Sequence, residues 1–283
     1  MHTLVLMTNG RTGYVCLVAL ALSTTAVMKG GQVEDGTRLA AVYGQQVDRR
    51  LDVPEDEQRN YAALLGRSLG DRAGTQAQYL VLVDRNPFVQ AAIIYWMSSD
   101  RAFHFIGASP VSTGKPGKFE HFVTPTGIFE HTVNHDDYRA KGTRNRFGIR
   151  GYGVKGMRVY DFGWQKAEKG WGGGGMGKLR LEMHATDPDF LEWKLGTPQS
   201  EGCIRIPATL NVFIDHYGIL DGDYESAMKA GKTFSVISKD REATPWPGRF
   251  LVVVDSGRTE RPTWSPAPKP EEKAMISMKR RRH

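Results

Sequence analysis

The sequence predicts a mainly β domain, a sandwich or barrel rather than a βαβ fold. Three observations carry this. Short runs rich in Val, Ile, Phe and Tyr recur from residue 79 onward. Glycine-rich loops, notably "KGWGGGGMGK", separate them. Only one stretch beyond residue 79 has helical spacing, so strands do not alternate with helices.

In chain order, residues 30–50 are polar and lack a clear period. Residues 53–70, "VPEDEQRNYAALLGRSLG", read as a short helix. Pro54 stands at its start, acids fill its first turn, and Tyr61, Leu64 and Leu65 share one face. "RSLGDRAGTQ" reads as a linker. "YLVLVD", a turn at "RNP" and "FVQAAIIYWM" form a hairpin, and "FHFIGASPVSTGKPG" is a strand running into a loop. Further strands are expected at "GIFEHTV", "MRVYDF", "KLRLEMH", "TFSVIS" and "FLVVVD". The helix follows Pro207, where Leu210, Phe213, Ile214 and Tyr217 recur at i, i+3, i+4 and i+7, and Gly218 ends it. After Asp255 the chain is rich in Pro, Ser and charge and is expected to be a disordered basic tail.

The N-terminus carries a compartment signal. After Arg11, "TGYVCLVALALSTTAVM" is apolar but short for a membrane span, and it closes on small residues as a signal-peptidase site does. Export to the cell envelope is the expectation, with an uncleaved membrane anchor as the alternative. The organisation is then a signal peptide or anchor over 1–29, an extension with a short helix over 30–76, a catalytic domain over 77–255 and a tail over 256–283. Of the two cysteines, Cys16 lies in the export segment. Its removal leaves Cys203 without an intrachain disulfide partner, as a buried small residue, a metal ligand or a nucleophile.

The 283 residues carry 38 Lys and Arg against 31 Asp and Glu, a net charge of +7. This favours anionic partners such as a wall polymer. Nucleic acid is not expected, because the basic residues are scattered and cluster only in the terminal "MKRRRH".

The chemistry concentrates in "EMHATDPDFLEWKLGTPQSEGCIRIP". In "LRLEMH", Leu179, Leu181 and Met183 alternate with Arg180, Glu182 and His184. A strand sends alternate residues to opposite faces, so His184 belongs to the polar face. Cys203 follows Gly202 in a turn, where a missing Cβ lets backbone N–H groups face a reacting carbonyl. A thiol needs a nearby base or cation to attack at neutral pH. His184 supplies the base, and Arg205, two residues beyond Cys203, supplies a cation for a substrate carboxylate.

These residues resemble the L,D-transpeptidase family with its YkuD-type catalytic domain. The resemblance is carried by His184, fifteen intervening residues, then Ser200-Glu201-Gly202-Cys203-Ile204-Arg205. "LGTPQ", the Thr124-Pro125-x-Gly127 element of "VTPTGIFE" and "STGKPG" also fit, over about residues 78–254. The resemblance implies a β-sandwich without metal or cofactor, and the export segment places it in the cell envelope, with the periplasm as the expected compartment. It implies acyl transfer between peptidoglycan stem peptides through a Cys203 thioester, with His184 as base and the backbone carbonyl of Ala185 as the third member. Ser200, Gly202 and Arg205 would shape the acyl and carboxylate sites. Glu201 departs from the pattern, since the family usually has histidine there. A carboxylate at 201 is expected to pair with Arg205 or Arg180 and to meet an incoming amine. The acceptor stays open: a second stem, an envelope lipoprotein, a D-amino acid, or water, which would make a carboxypeptidase or a cross-link hydrolase. A non-catalytic wall-binding module is the other class, and it would have no need of a thiol beside a histidine.

Two other motifs carry less. His131 and His135, with Asp136 and Asp137, have a spacing that zinc sites use on helices, but "GIFEHTV" reads as strand and no HExxH pattern occurs. "WGGGGMG" lacks the Gly-Lys-Ser/Thr ending of a phosphate loop and is expected to be a flap or connector.

Overall fold

The computed structural model describes residues 36 and 38–269. The apolar segment expected to direct export and the terminal basic cluster lie outside the described residues. Among the described residues, no helix is long and apolar enough to cross a membrane.

Residues 38–46 form helix α1. Helix α2 (Glu55–Leu69) starts after Pro54, with Glu55, Asp56 and Glu57 facing the positive end of its dipole, and stops at Gly70, where φ is 51°. Nine strands follow in two sheets. The five-stranded sheet contains β1 (Gln78–Asp84), β2 (Ala91–Met97), β3 (Phe103–Pro110), β4 (Gly127–Glu130) and β9 (Phe250–Val254), in the order β3-β2-β1-β9-β4. The four-stranded sheet contains β5 (Tyr138–Arg139), β6 (Arg158–Glu168), β7 (Met176–Ala185) and β8 (Ile204–Ile206), in sequence order. Pairing is antiparallel except for β1 with β9 and β7 with β8. Helix α3 (Ala208–His216) follows β8 directly, and α4 (Gly222–Lys229) precedes β9.

The sheets face each other, as expected for a sandwich. Val81, Val83, Ile94, Leu251 and Val253 of the first sheet share a core with Tyr160, Leu181, Met183, Ile204 and Ile206 of the second, closed at one end by Leu210, Phe213 and Ile214 of α3. The first sheet is covered on its other face too. Leu80, Leu82, Ile93 and Val252 pack there with Tyr61, Leu65 and Leu69 of α2. Both faces being buried explains why β1 reads as a continuous apolar run instead of an alternation.

Two expectations are corrected. The tail, expected to be disordered from residue 256, packs against the domain over 256–269. Trp264 is buried edge-on to Tyr61 at 5.9 Å, and the Ser265 hydroxyl donates to the Val89 carbonyl at 2.6 Å. A tryptophan in a polar, Pro-rich run is enough to anchor it to an apolar face that needs covering. "TFSVIS" forms no strand. Phe234 packs edge-on against Tyr224 at 4.8 Å, and the Val236 carbonyl accepts from Arg139 at 2.5 Å, so a side chain satisfies the backbone where a neighbouring strand would have.

Candidate active site

The parallel pairing of β7 with β8 builds the site. Its register sets His184 beside Arg205 and Ala185 beside Ile206. Leu179, Leu181 and Met183 point into the core, so Arg180, Glu182 and His184 share the opposite face, as the alternation predicted. Cys203 lies one residue before β8, level with Glu182. Its Sγ is 4.0 Å from Glu182 Oε2 and 3.7 Å from the Arg180 carbonyl oxygen.

The turn carrying Cys203 is fixed from several sides. The Ser200 hydroxyl accepts the Gly202 N–H at 3.1 Å and donates to the Cys203 carbonyl at 2.5 Å. The Thr124 hydroxyl donates to the Gly202 carbonyl at 2.6 Å and accepts the Gly114 N–H at 2.8 Å. Lys115 N–H donates to Ser200 O, and Ser112 and Arg205 exchange both backbone hydrogen bonds, each at 2.9 Å. Gly202 has φ of 136°, and a Cβ there would lie 2.8 Å from Leu179 Cδ2. Glycine is therefore required by both conformation and space. The three elements noted in the sequence, "STGKPG", Thr124-Pro125-x-Gly127 and the Gly-Cys turn, are thus one hydrogen-bonded unit.

His184 is 4% exposed, and its Nδ1 is 2.8 Å from the Ala185 carbonyl oxygen. A carbonyl only accepts, so Nδ1 carries the proton and Nε2 keeps its lone pair. The Tyr152 ring lies 4.5 Å away. Burial pushes the His184 pKa down to about 4. Burial, with the Glu182 carboxylate adding to it and Arg205 opposing it, pushes the Cys203 thiol up to about 12. At neutral pH the pair is therefore a neutral thiol and a neutral imidazole. With both groups neutral, attack by the sulfur would require its proton to leave in the same step.

Arg205 is half-buried. Its Nη1 donates to the Gln199 carbonyl at 3.3 Å, and its Nε has no partner. Burial lowers its pKa. A guanidinium with a buried, unpartnered Nε can take an anionic ligand, although the Glu201 carboxylate already favours its charge.

Most of the sequence-predicted residues converge here, with two differences. Glu201 is exposed and forms no hydrogen-bonded pair with either expected arginine. Arg180 pairs instead with Asp161, whose Oδ2 accepts its Nε–H at 2.7 Å, and Arg205 donates to the Gln199 carbonyl while feeling the Glu201 charge at longer range. The Gly202 N–H, expected to face a reacting carbonyl, is held by Ser200 inside the turn. Sequence reasoning also passed over Tyr138, Tyr152 and Glu182 as site residues. The Tyr138 hydroxyl donates to Glu182 Oε1 at 3.2 Å. Alternation had already placed Glu182 on the right face. Tyr152 lies in the long irregular loop 140–157, where no periodicity marks it. That loop is pinned at Arg150, which donates to Asp187 through its backbone N–H at 2.7 Å and to Asp189 through Nη1 at 2.6 Å.

The glycine-rich stretch closes the β6–β7 hairpin and is tied to the loop before Thr124. Gly117 N–H donates to Gly170 O at 2.6 Å, and Trp171 packs edge-on to Phe122 at 4.8 Å. His131 is a buried structural residue, with Nδ1 2.8 Å from Leu220 O and Nε2 2.8 Å from Asp137 Oδ2. Among the described residues, no group of three or more His, Cys, Asp or Glu could hold a metal ion.

Residues 79–217 match the family model of the L,D-transpeptidase catalytic domain, YkuD. These residues form a YkuD-family domain. The matched segment starts in β1 and ends just beyond α3, so it contains the whole β7–β8 site. No curated protein matches the chain. Among solved structures, the chain is similar to the helical cell shape determining protein Pgp2 from Campylobacter jejuni and to a point mutant of it. Each match has 13% identity over 76% of this chain, with TM-scores of 0.25 and 0.26. The chain spans 59% and 60% of the length of those two structures. At these scores the likeness carries no part of the functional argument.

Proposed function

We propose that this YkuD domain is a cysteine acyltransferase acting on peptidoglycan stem peptides in the cell envelope. The observation that supports it most is the pairing of two adjacent strands. Together they hold a thiol, a histidine whose Nδ1 is committed to the Ala185 carbonyl, and a half-buried arginine with an unpartnered nitrogen. In the family's reaction, Arg205 holds a carboxylate of the donor stem. His184 Nε2 takes the thiol proton as Cys203 Sγ attacks the carbonyl at the L-centre of the diamino acid. The C–N bond to the terminal D-alanine then breaks, and the imidazolium returns the proton to the leaving amine. A thioester remains, ready for an acceptor. The net charge of +7 suits an anionic envelope.

The test incubates purified protein with disaccharide tetrapeptide and reads products by mass spectrometry. The expected result is loss of D-alanine with a cysteine-linked acyl-enzyme, and neither in Cys203→Ala. Turnover that survives in Cys203→Ala would overturn the assignment.

A further inference from the structure

The site holds a carboxylate that acylation does not use. Glu182 is 7% exposed, two residues before His184 on the same face of β7. Its Oε1 accepts the Tyr138 hydroxyl at 3.2 Å, and its Oε2 faces Cys203 Sγ at 4.0 Å. No Lys or Arg among the described residues forms an ion pair with it, because Arg180, the nearest cation on its strand, is bound to Asp161. A carboxylate in this place hinders the first half-reaction, since a negative neighbour disfavours a thiolate. A buried carboxylate with no ion-pair partner, beside a thiol, needs another reason to be there.

The geometry points to one. We propose that Glu182 binds and deprotonates the primary ammonium group of the acceptor, so that the acyl group passes to an amine rather than to water. This rests on the acyltransferase reading above and deepens it by naming the acceptor class. An amine acceptor arrives protonated at neutral pH and must lose a proton before it can attack. With the acyl group on Sγ, the thioester carbonyl carbon sits one bond from a sulfur that lies 4.0 Å from Oε2. An ammonium bonded to Oε2 is therefore beside the carbon it must attack. Glu182 takes one proton and the neutral amine forms a C–N bond to the thioester carbon. The C–S bond then breaks and its electron pair goes to Cys203. The second nitrogen proton passes through His184 to the departing sulfur, and Glu182 returns its own proton to solvent. The products are an amide and the free thiol. Two bases thus serve two half-reactions, His184 in acylation and both groups in transfer. Water carries no charge for Glu182 to bind, so the same carboxylate favours amines over hydrolysis.

The groups facing Glu182 are Tyr138 from β5, Tyr152 from the 140–157 loop, Asp161 from β6, Arg180 from its own strand and Cys203 from the turn. Burial raises its pKa above the ordinary carboxylate value, with Asp161 adding to this and Tyr138, Arg180 and Tyr152 opposing it. The shift moves it towards the range in which a carboxylate exchanges protons with an amine.

The experiment compares wild type with Glu182→Gln, using disaccharide tetrapeptide as donor and two acceptors. Nα-acetyl-lysine is a protonated amine at neutral pH, and hydroxylamine is largely neutral there. Acylation is followed by intact mass and transfer by product mass. Glu182→Gln is expected to acylate faster at neutral pH, because the negative charge beside the thiol is gone. Its transfer to Nα-acetyl-lysine should fall by about 10²-fold or more, the usual worth of a positioned base. Transfer to hydroxylamine should fall far less, and the deficit with Nα-acetyl-lysine should shrink as pH rises and free amine appears. Equal transfer in the two proteins would overturn the inference, as would equal losses with both amines or a collapse of acylation. A wild type that acylates but passes the group only to water would also overturn it, leaving the acyltransferase chemistry standing. A wild type that forms no acyl-enzyme would remove the proposed function itself.

Discussion

The Thr124 hydroxyl bridges the Gly202 carbonyl and the Gly114 N–H, at 2.6 and 2.8 Å, with its residue 1% exposed. One small side chain therefore joins the Cys203 turn to the segments of Gly114 and Thr124. Thr124→Val keeps the shape and removes both bonds, leaving a buried donor and a buried acceptor unpaired. Each such group costs about 1–3 kcal/mol. Urea unfolding should show a loss in that range or somewhat above it, and acylation should slow as the turn relaxes. Unchanged stability would mean that water replaces the hydroxyl at no cost.

His184 makes stability pH-dependent. In the folded chain it stays neutral down to about pH 4, whereas its ordinary pKa is 6.5. Between these values the unfolded chain binds a proton that the folded chain does not. Folding is therefore favoured fully above about pH 6.5 and loses stability as the pH falls towards 4. Wild type should melt at a steeply lower temperature across this window, and His184→Gln should show a shallower decline. Parallel pH profiles would contradict the burial of a neutral imidazole.

Under the proposed function, the same residue should set the acid limit of acylation. As a neutral base it should act down to about pH 4, so carbapenem acylation should show no His184 titration near pH 6.5. His184→Ala should slow acylation by about two to four decades. A near-wild-type rate at neutral pH would assign the base elsewhere.

Arg205 offers a planar fork in a half-buried place. Arg205→Lys keeps a charge but loses bidentate geometry. KM for stem peptides should rise by more than the rate with a small thiol reagent falls. Equal losses in both measurements would point to a role in positioning Cys203.

Glu201 should matter little to the thiol. Its side chain is exposed, and its charge comes last among the influences on Cys203, whereas Glu182 stands next to burial. Glu201→Gln is expected to leave acylation and transfer within about twofold, since exposed charges are screened. A large loss of amine transfer in this variant would restore the acceptor role to Glu201.

Trp264 tests the outer core. Trp264→Ala removes a buried ring that packs on Tyr61, and such truncations cost about 3–5 kcal/mol. A small effect in chemical denaturation would show that 256–269 adds little to the domain.

Much of this was legible in the chain because it depends on local periodicity. Alternation in "LRLEMH" assigns Leu181 and Met183 to the core and His184 to the opposite face without reference to any other strand. The spacing of Leu210, Phe213 and Ile214 marks α3, and Gly202 before Cys203 marks a turn only glycine accommodates. "TFSVIS" misled because apolar runs form strands only where a partner edge is free.

What the tertiary structure alone decided is which charges meet. Cys203 and Glu182 are twenty-one residues apart, and only the parallel register of β8 on β7 brings their side chains to 4.0 Å. The same packing turned Glu201, adjacent to the nucleophile turn in sequence, out to solvent and gave Arg180 to Asp161. It also set both pKa values of the thiol–imidazole pair, since burial is the largest influence on each. Sequence determines what each face of a strand carries. Distances between faces, and the water excluded from between them, arise only when the sheets close.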